Sequence, residues 1–171
     1  MKPIILLMAE VEPYFTLLPD LQKVSRVVRW HSDSDDWQSE LGEIEGICVY
    51  AHIRVDGPLM DTMPKLKVVS NFGVGVDHID LKAASDSGII VSNVPDYGTN
   101  DVADHTWALI LSQERGIIKC NQSILKRGSW SWDLGSDLDR IQDKVIGIIG
   151  LGRIGKSVAM RAKAFGMEVV F

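Results

Sequence analysis

The stretch from Lys144 to Phe171, KVIGIIGLGRIGKSVAMRAKAFGMEVVF, constrains the fold more than any other part of the sequence. An apolar β-branched run, Lys144 to Ile149, is followed at once by Gly150-Leu151-Gly152-Arg153-Ile154-Gly155, and then by a good helix former, Lys156 to Phe165. Gly166 can end that helix and Met167 to Phe171 begins another strand, so the expected order is strand, helix, strand with a right-handed crossover. Each glycine has its own task in such a unit. Gly150 permits the tight turn, Gly152 lets the backbone approach a pyrophosphate, and Gly155 lets the helix pack closely on the strand. The helix N-terminus then offers free N–H groups and a positive dipole end to an anion. A glycine hexamer alone is weak evidence, because it also occurs as a purely structural turn and in kinase loops. The strand before it and the helix after it favour dinucleotide binding. The acidic residue that reads the ribose 2′-OH is expected about 20 residues beyond the motif, past Phe171.

Six other short apolar runs accompany the strand at Lys144 to Ile149: Ile4 to Ala9, Val27 to Trp30, Gly46 to Tyr50, Lys67 to Ser70, Ile89 to Ser92 and Met167 to Phe171. They are rich in Val and Ile and lack clean polar alternation. Strands buried on both faces of a helix-covered parallel sheet have this pattern, so the fold class is α/β.

The longest helical pattern is Asn100 to Gly116, NDVADHTWALILSQERG. Asn100 or Asp101 is expected to cap it, Asp101 and Asp104 to sit in its first turn, and Gly116 to end it. Lys119 to Lys144 then reads as a packed connecting arm, in which GSWSWDLGSDLDR brings Trp130 and Trp132 close together. Two roles are open for these indoles: a subunit interface, where Trp is enriched, or cover for their own domain.

Composition excludes several classes. A net charge of −5 and a pI near 5.3 provide no basic footprint for nucleic acid. No stretch reaches the roughly 18 to 20 apolar residues of a membrane span. The start, MKPIILLMAEVEPYF, is interrupted by Glu10 and Glu12 and reads as a buried strand rather than a signal. Cys48 and Cys120 are two isolated thiols, which suits a reducing cytoplasm. No Cys and His stand at metal-ligand spacing, so no metal is expected.

Three blocks stand in order: NFGVGVDHIDLKAASDSGIIVSN (Asn71 to Asn93), VPDYGTNDVADHTWALIL (Val94 to Leu111) and GIIGLGRIGKSVAMRAKAFGMEVVF (Gly147 to Phe171). Together they resemble the D-isomer-specific 2-hydroxyacid dehydrogenases, along essentially the whole chain and most strongly after Leu66. VADHTWALIL and RAKAFGMEVVF look closest to the C-terminal-binding-protein-like branch, with phosphoglycerate dehydrogenases and hydroxypyruvate or glyoxylate reductases as neighbours.

The resemblance implies a flavodoxin-like substrate domain, residues 1–98, followed by the first part of an NAD-binding Rossmann domain, residues 99–171. It implies that Val74 and Gly75 bind a substrate carboxylate through backbone N–H groups, where glycine allows an anion close approach; the plainer alternative is that Gly73 and Gly75 only turn the chain. It also implies that Val102 lies against the nicotinamide end, and that Arg153 and Ile154 supply backbone contacts to the diphosphate. Arg153 has the alternative of a solvated helix start. The family's substrate Arg, acid/base His and supporting Glu would all come after residue 171, so the chain reads as a fragment with no catalytic residue, inactive alone. His31, His52, His78 and His105 match no catalytic position. Arg115, at the C-terminal end of the long helix, reads as a structural cation there.

The expected whole is thus an NAD(H)-dependent oxidoreductase for D-2-hydroxy or 2-oxo acids, cytoplasmic and dimeric through the arm. The competing expectation is an NAD(H)-sensing co-regulator of the C-terminal-binding-protein type.

Overall fold

The computed structural model describes residues 2–9, 18–30, 37–50 and 53–171. His31 and His52 lie outside them. The chain divides into two compact units, Met1–Pro95 and Asp96–Phe171.

In the first unit five parallel strands form one sheet: β1 (Ile4–Met8), β2 (Arg26–Arg29), β3 (Ile44–Val49), β4 (Val68–Asn71) and β5 (Ile90–Ser92), in the order β2-β1-β3-β4-β5. This is the flavodoxin-like order. The helices α1 (Leu18–Val24), α2 (Gly57–Asp61) and α3 (Leu81–Asp86) lie in the connections. Asp56 caps α2 by accepting from the Leu59 N–H at 3.1 Å, and Asp80 caps α3 by accepting from the Ala83 N–H at 2.9 Å.

The unalternating run of β1 has a direct cause. Leu6 and Met8 belong to the main core with Ile47, Val49 and Val69, while Leu7 and Ala9 belong to a second cluster with Val27, Cys48, Tyr50 and Phe72. Both faces of the strand are therefore apolar. Burying such a side chain fully is worth about 1.5–3 kcal/mol, so β1 cannot afford polar positions on either side.

The second unit opens with α4 (Thr99–Glu114) and α5 (Ile117–Arg127), then pairs β6 (Val145–Gly147) with β7 (Glu168–Val170) in parallel through α6 (Arg153–Ala164). Ala103 and Trp107 of α4 pack on Val158 and Ala162 of α6, and these four are the buried centre of the unit. The Trp107 indole donates to the Val158 carbonyl at 3.1 Å and stacks on Phe165 with ring centroids 4.7 Å apart.

Three local expectations need correction. The N-cap of α4 is Gly98, without a side-chain cap, so Asn100 and Asp101 lie inside the helix and Asp104 is beyond its first turn. Asn100 instead accepts from the Ser157 hydroxyl at 3.3 Å, and Asp104 pairs with Arg161, so both side chains are engaged by α6. Second, Gly116 does end α4, in the left-handed conformation, but α5 begins immediately after it, so the first part of the arm is helical. Third, α6 starts at Arg153 rather than Lys156, with Gly152 as its N-cap.

Candidate functional site

The glycine turn is built as its residues dictate. Gly150 has φ +94°, a conformation that favours glycine. A Cβ on Gly155 would stand 2.1 Å from the Gly150 carbonyl oxygen, so a side chain there cannot coexist with the turn. A Cβ on Gly152 would meet nothing within 4 Å, leaving open space in front of the helix. The first N–H groups of α6 have no intrahelical acceptor, and no side chain caps them. Arg153 and Ile154 are exposed in this first turn. The arrangement can receive an anion on backbone donors at the positive end of a helix.

Val102 lies in the first turn of α4, 47% exposed. Asn100 meets Ser157 and Asp104 meets Arg161, each partner four residues further along both helices, so α4 and α6 run in the same direction. Val102 and the Arg153–Ile154 turn consequently share one end of the second unit.

Val74 and Gly75 lie in the loop leaving the carboxyl end of β4, and both are exposed. In open α/β sheets ligands bind at the carboxyl ends of strands. The Gly73, Val74 and Gly75 carbonyls are each engaged. The Asn71 side-chain amide donates to Gly73 O at 3.0 Å and Gly75 O at 2.7 Å, the Asn93 amide donates to Val74 O at 2.7 Å, and the Val94 N–H donates to Gly73 O at 3.1 Å. Among the described residues neither the Val74 nor the Gly75 N–H has an acceptor. Asn71 is only 1% exposed, and its Oδ1 has no partner among the described residues. Such an orphaned acceptor costs about 1–3 kcal/mol.

Sequence reasoning found the loop but not Asn71 or Asn93. The available signal was an asparagine at the end of β4, where a short amide reaches local backbone; Asn93 bonds Val74 from 19 residues away and has no local signal.

Arg115 donates to the Asp139 carbonyl at 3.0 Å, a structural bond within the second unit. His105 is exposed on α4, and the half-buried His78 keeps Nε2 without a partner among the described residues. Trp130 and Trp132 meet edge to face at 4.4 Å and are 56% and 87% exposed. Burial raises the Cys48 thiol above its ordinary value. Among the described residues no His, Cys, Asp or Glu cluster is arranged to hold a metal, and no helix is long and apolar enough to cross a membrane.

A flavodoxin-like parallel sheet joined to a strand, glycine turn and helix defines an α/β protein that begins a Rossmann-type unit after a first, separate one. The family model described as D-isomer specific 2-hydroxyacid dehydrogenase, catalytic domain, matches residues 5–162, and the chain belongs to that family. It is 34% identical over 165 residues to the glyoxylate reductase of Thermococcus gammatolerans, covering 85% of this chain and 48% of that one. It is 40% identical over 131 residues to the D-3-phosphoglycerate dehydrogenase of Methanocaldococcus jannaschii, covering 77% of this chain and 25% of that one. Among solved structures it resembles the D-lactate dehydrogenase from Aquifex aeolicus complexed with NAD and lactic acid, with TM-score 0.82, 31% identity and coverage of 97% and 50%. It also resembles the NADPH-dependent glyoxylate/hydroxypyruvate reductase from Sinorhizobium meliloti in complex with NADP and malonate, with TM-score 0.77, 33% identity and coverage of 99% and 53%. The chain spans about half the length or less of these relatives.

Proposed function

We propose that the full protein is an NAD(H)-dependent oxidoreductase that interconverts a small D-2-hydroxy acid and its 2-oxo acid. The observation that carries this reading is the glycine turn of the second unit, where Gly155 closes on Gly150 and the space before Gly152 stays open. A diphosphate fits that space: Gly150, Gly152 and Gly155 let the backbone approach it, and Arg153 and Ile154 offer N–H groups. Val102, exposed at the same end of the unit, is the residue we assign to the nicotinamide side. When bound, the dinucleotide supplies the hydride chemistry. The chain's own residues bind and orient, with the Val74 and Gly75 N–H groups taking the substrate carboxylate. In this reading residues 1–98 are the N-terminal portion of the substrate domain and residues 99–171 the first part of the dinucleotide domain.

The experiment is turnover of glyoxylate by the full-length gene product with NADH and with NADPH. We expect NADH to be favoured by about tenfold or more in kcat/KM. Preference for NADPH, the cofactor of the Sinorhizobium meliloti relative, would overturn the NAD assignment. Dinucleotide binding without turnover of any 2-oxo acid would favour a sensing co-regulator instead.

The reading extends to a cytoplasmic homodimer. Cys48 and Cys120 are free thiols, and the exposed Trp130–Trp132 pair offers the aromatic surface that interfaces favour.

A further inference from the structure

We infer that Asn71 and Asn93 are positioning residues that fix the peptide planes of the Val74–Gly75 loop so that its N–H groups stay available to a carboxylate. The inference rests on reading that loop as the substrate-anion site.

The argument is geometric. In a trans peptide the C=O and the following N–H point in opposite directions. Fixing the Gly73 carbonyl therefore fixes the Val74 N–H, and fixing the Val74 carbonyl fixes the Gly75 N–H. Asn71 holds the first and Asn93 the second, at 3.0 and 2.7 Å. Asn71 also holds the Gly75 carbonyl at 2.7 Å, which orients the next peptide as well. Three consecutive carbonyls are thus occupied by protein donors. A flipped peptide at either plane would present a carbonyl oxygen to an incoming anion, and the clamps oppose that flip.

The chemistry of Asn71 is specific to the task. Its amide NH2 carries two donors and serves two carbonyls at once without adding a charge; an aspartate, acceptor-only when ionised, would face both with repulsion. The residue is 1% exposed and leaves its own Oδ1 without a partner among the described residues. A residue selected for burial alone would be apolar here. The loop is shaped to admit the amide, since a Cβ on Gly73 would approach Asn71 Nδ2 to 3.3 Å. Asn93 is exposed, so packing does not require an amide there, yet its side chain reaches back to Val74.

The test is a titration of the 15N-labelled full-length gene product with oxalate, a small carboxylate probe, read at the Val74 and Gly75 amide resonances. Asn93→Leu and Asn71→Ser are compared with the wild type, together with dinucleotide affinity and thermal midpoint. The expected result is that oxalate shifts both resonances in the wild type. Asn93→Leu should weaken oxalate binding by about five- to tenfold, the loss of one well-made hydrogen bond to the loop, with dinucleotide affinity and thermal midpoint unchanged. If oxalate leaves the wild-type Val74 and Gly75 resonances unmoved, the loop reading itself fails and the inference falls with it. If they move but the variants bind oxalate as the wild type does, the loop reading stands and the positioning role is overturned. Should Asn71→Ser not fold, the exposed Asn93→Leu variant decides alone.

Discussion

Three glycines within six positions have different reasons to be glycine, and substitution separates them. Gly155→Ala sets a methyl 2.1 Å from the Gly150 carbonyl, so either the turn or the helix start must move. Overpacking of this kind costs about 1–3 kcal/mol, and the urea midpoint of the second unit should fall accordingly. Gly152→Ala meets no protein atom and changes an N-cap by only about 1 kcal/mol or less. Its urea midpoint should stay near wild type while dinucleotide affinity, read by fluorescence titration, drops. Equal loss of stability in both variants would contradict the assignment of separate tasks. Cys48 gives a second residue-scale expectation: with its thiol pushed up by burial, it should react with iodoacetamide at pH 8 more slowly in the folded chain than in urea. The need for glycine at 150 and 155 was legible in the sequence because positive φ and close approach select one residue type. The Asn71 clamp was not, because an asparagine at a strand end is also an ordinary turn residue, and only the folded loop brings the Gly73 and Gly75 carbonyls onto its amide.

At the scale of elements, the seven strands among the described residues fall on the apolar runs, but burial on both faces holds for β1 and β3 only, while β2, β5, β6 and β7 carry exposed residues at their ends. Helix starts were less legible. Asn100 and Asp101 are acceptable caps by type, but the helix starts before them, and Asn100 and Asp104 bond Ser157 and Arg161 of α6, contacts separated by 57 residues in sequence that local pattern does not reveal. The α4–α6 seam should carry much of the second unit's stability. Trp107→Ala removes the stack on Phe165 and the bond to Val158 O, and should cost about 3–5 kcal/mol in urea denaturation. A loss below about 1 kcal/mol would mean that the seam is not the centre of that unit. Trp132→Ser, by contrast, changes an 87% exposed side chain and should leave stability unchanged; if the proposed dimer forms through the arm, sedimentation of the full-length protein should shift toward monomer.

For the molecule as a whole, ion pairing sets the direction of pH dependence. The Arg26 guanidinium holds Glu40 below its ordinary 4.5, Lys67 does the same for Glu45, Ser131 and Arg127 lower Asp133, and Lys119 lowers Asp137 from 3.8. Groups lowered on folding stabilise above their unfolded values, and that contribution is lost as pH falls through and below 4.5 and 3.8. Lys144, raised above 10.5 by Glu114, acts in the opposite sense, and its contribution is lost only as pH rises through and above 10.5. The urea midpoint should therefore decline on acidification below about pH 4.5, and the decline should shrink in 1 M salt, because these pairs are exposed and screened. A midpoint indifferent to pH between 5 and 3 would remove these pairs from the account. The parallel order β2-β1-β3-β4-β5 has a further consequence, for synthesis. β1 is made first but lies between β2 and β3, and Leu6 meets Ile47 only after about 40 further residues have been added. At about 5–20 residues per second the most apolar strand of the sheet spends roughly two to eight seconds outside the ribosome without its β3 partner, one edge still open, which makes it the segment a nascent-chain chaperone should bind.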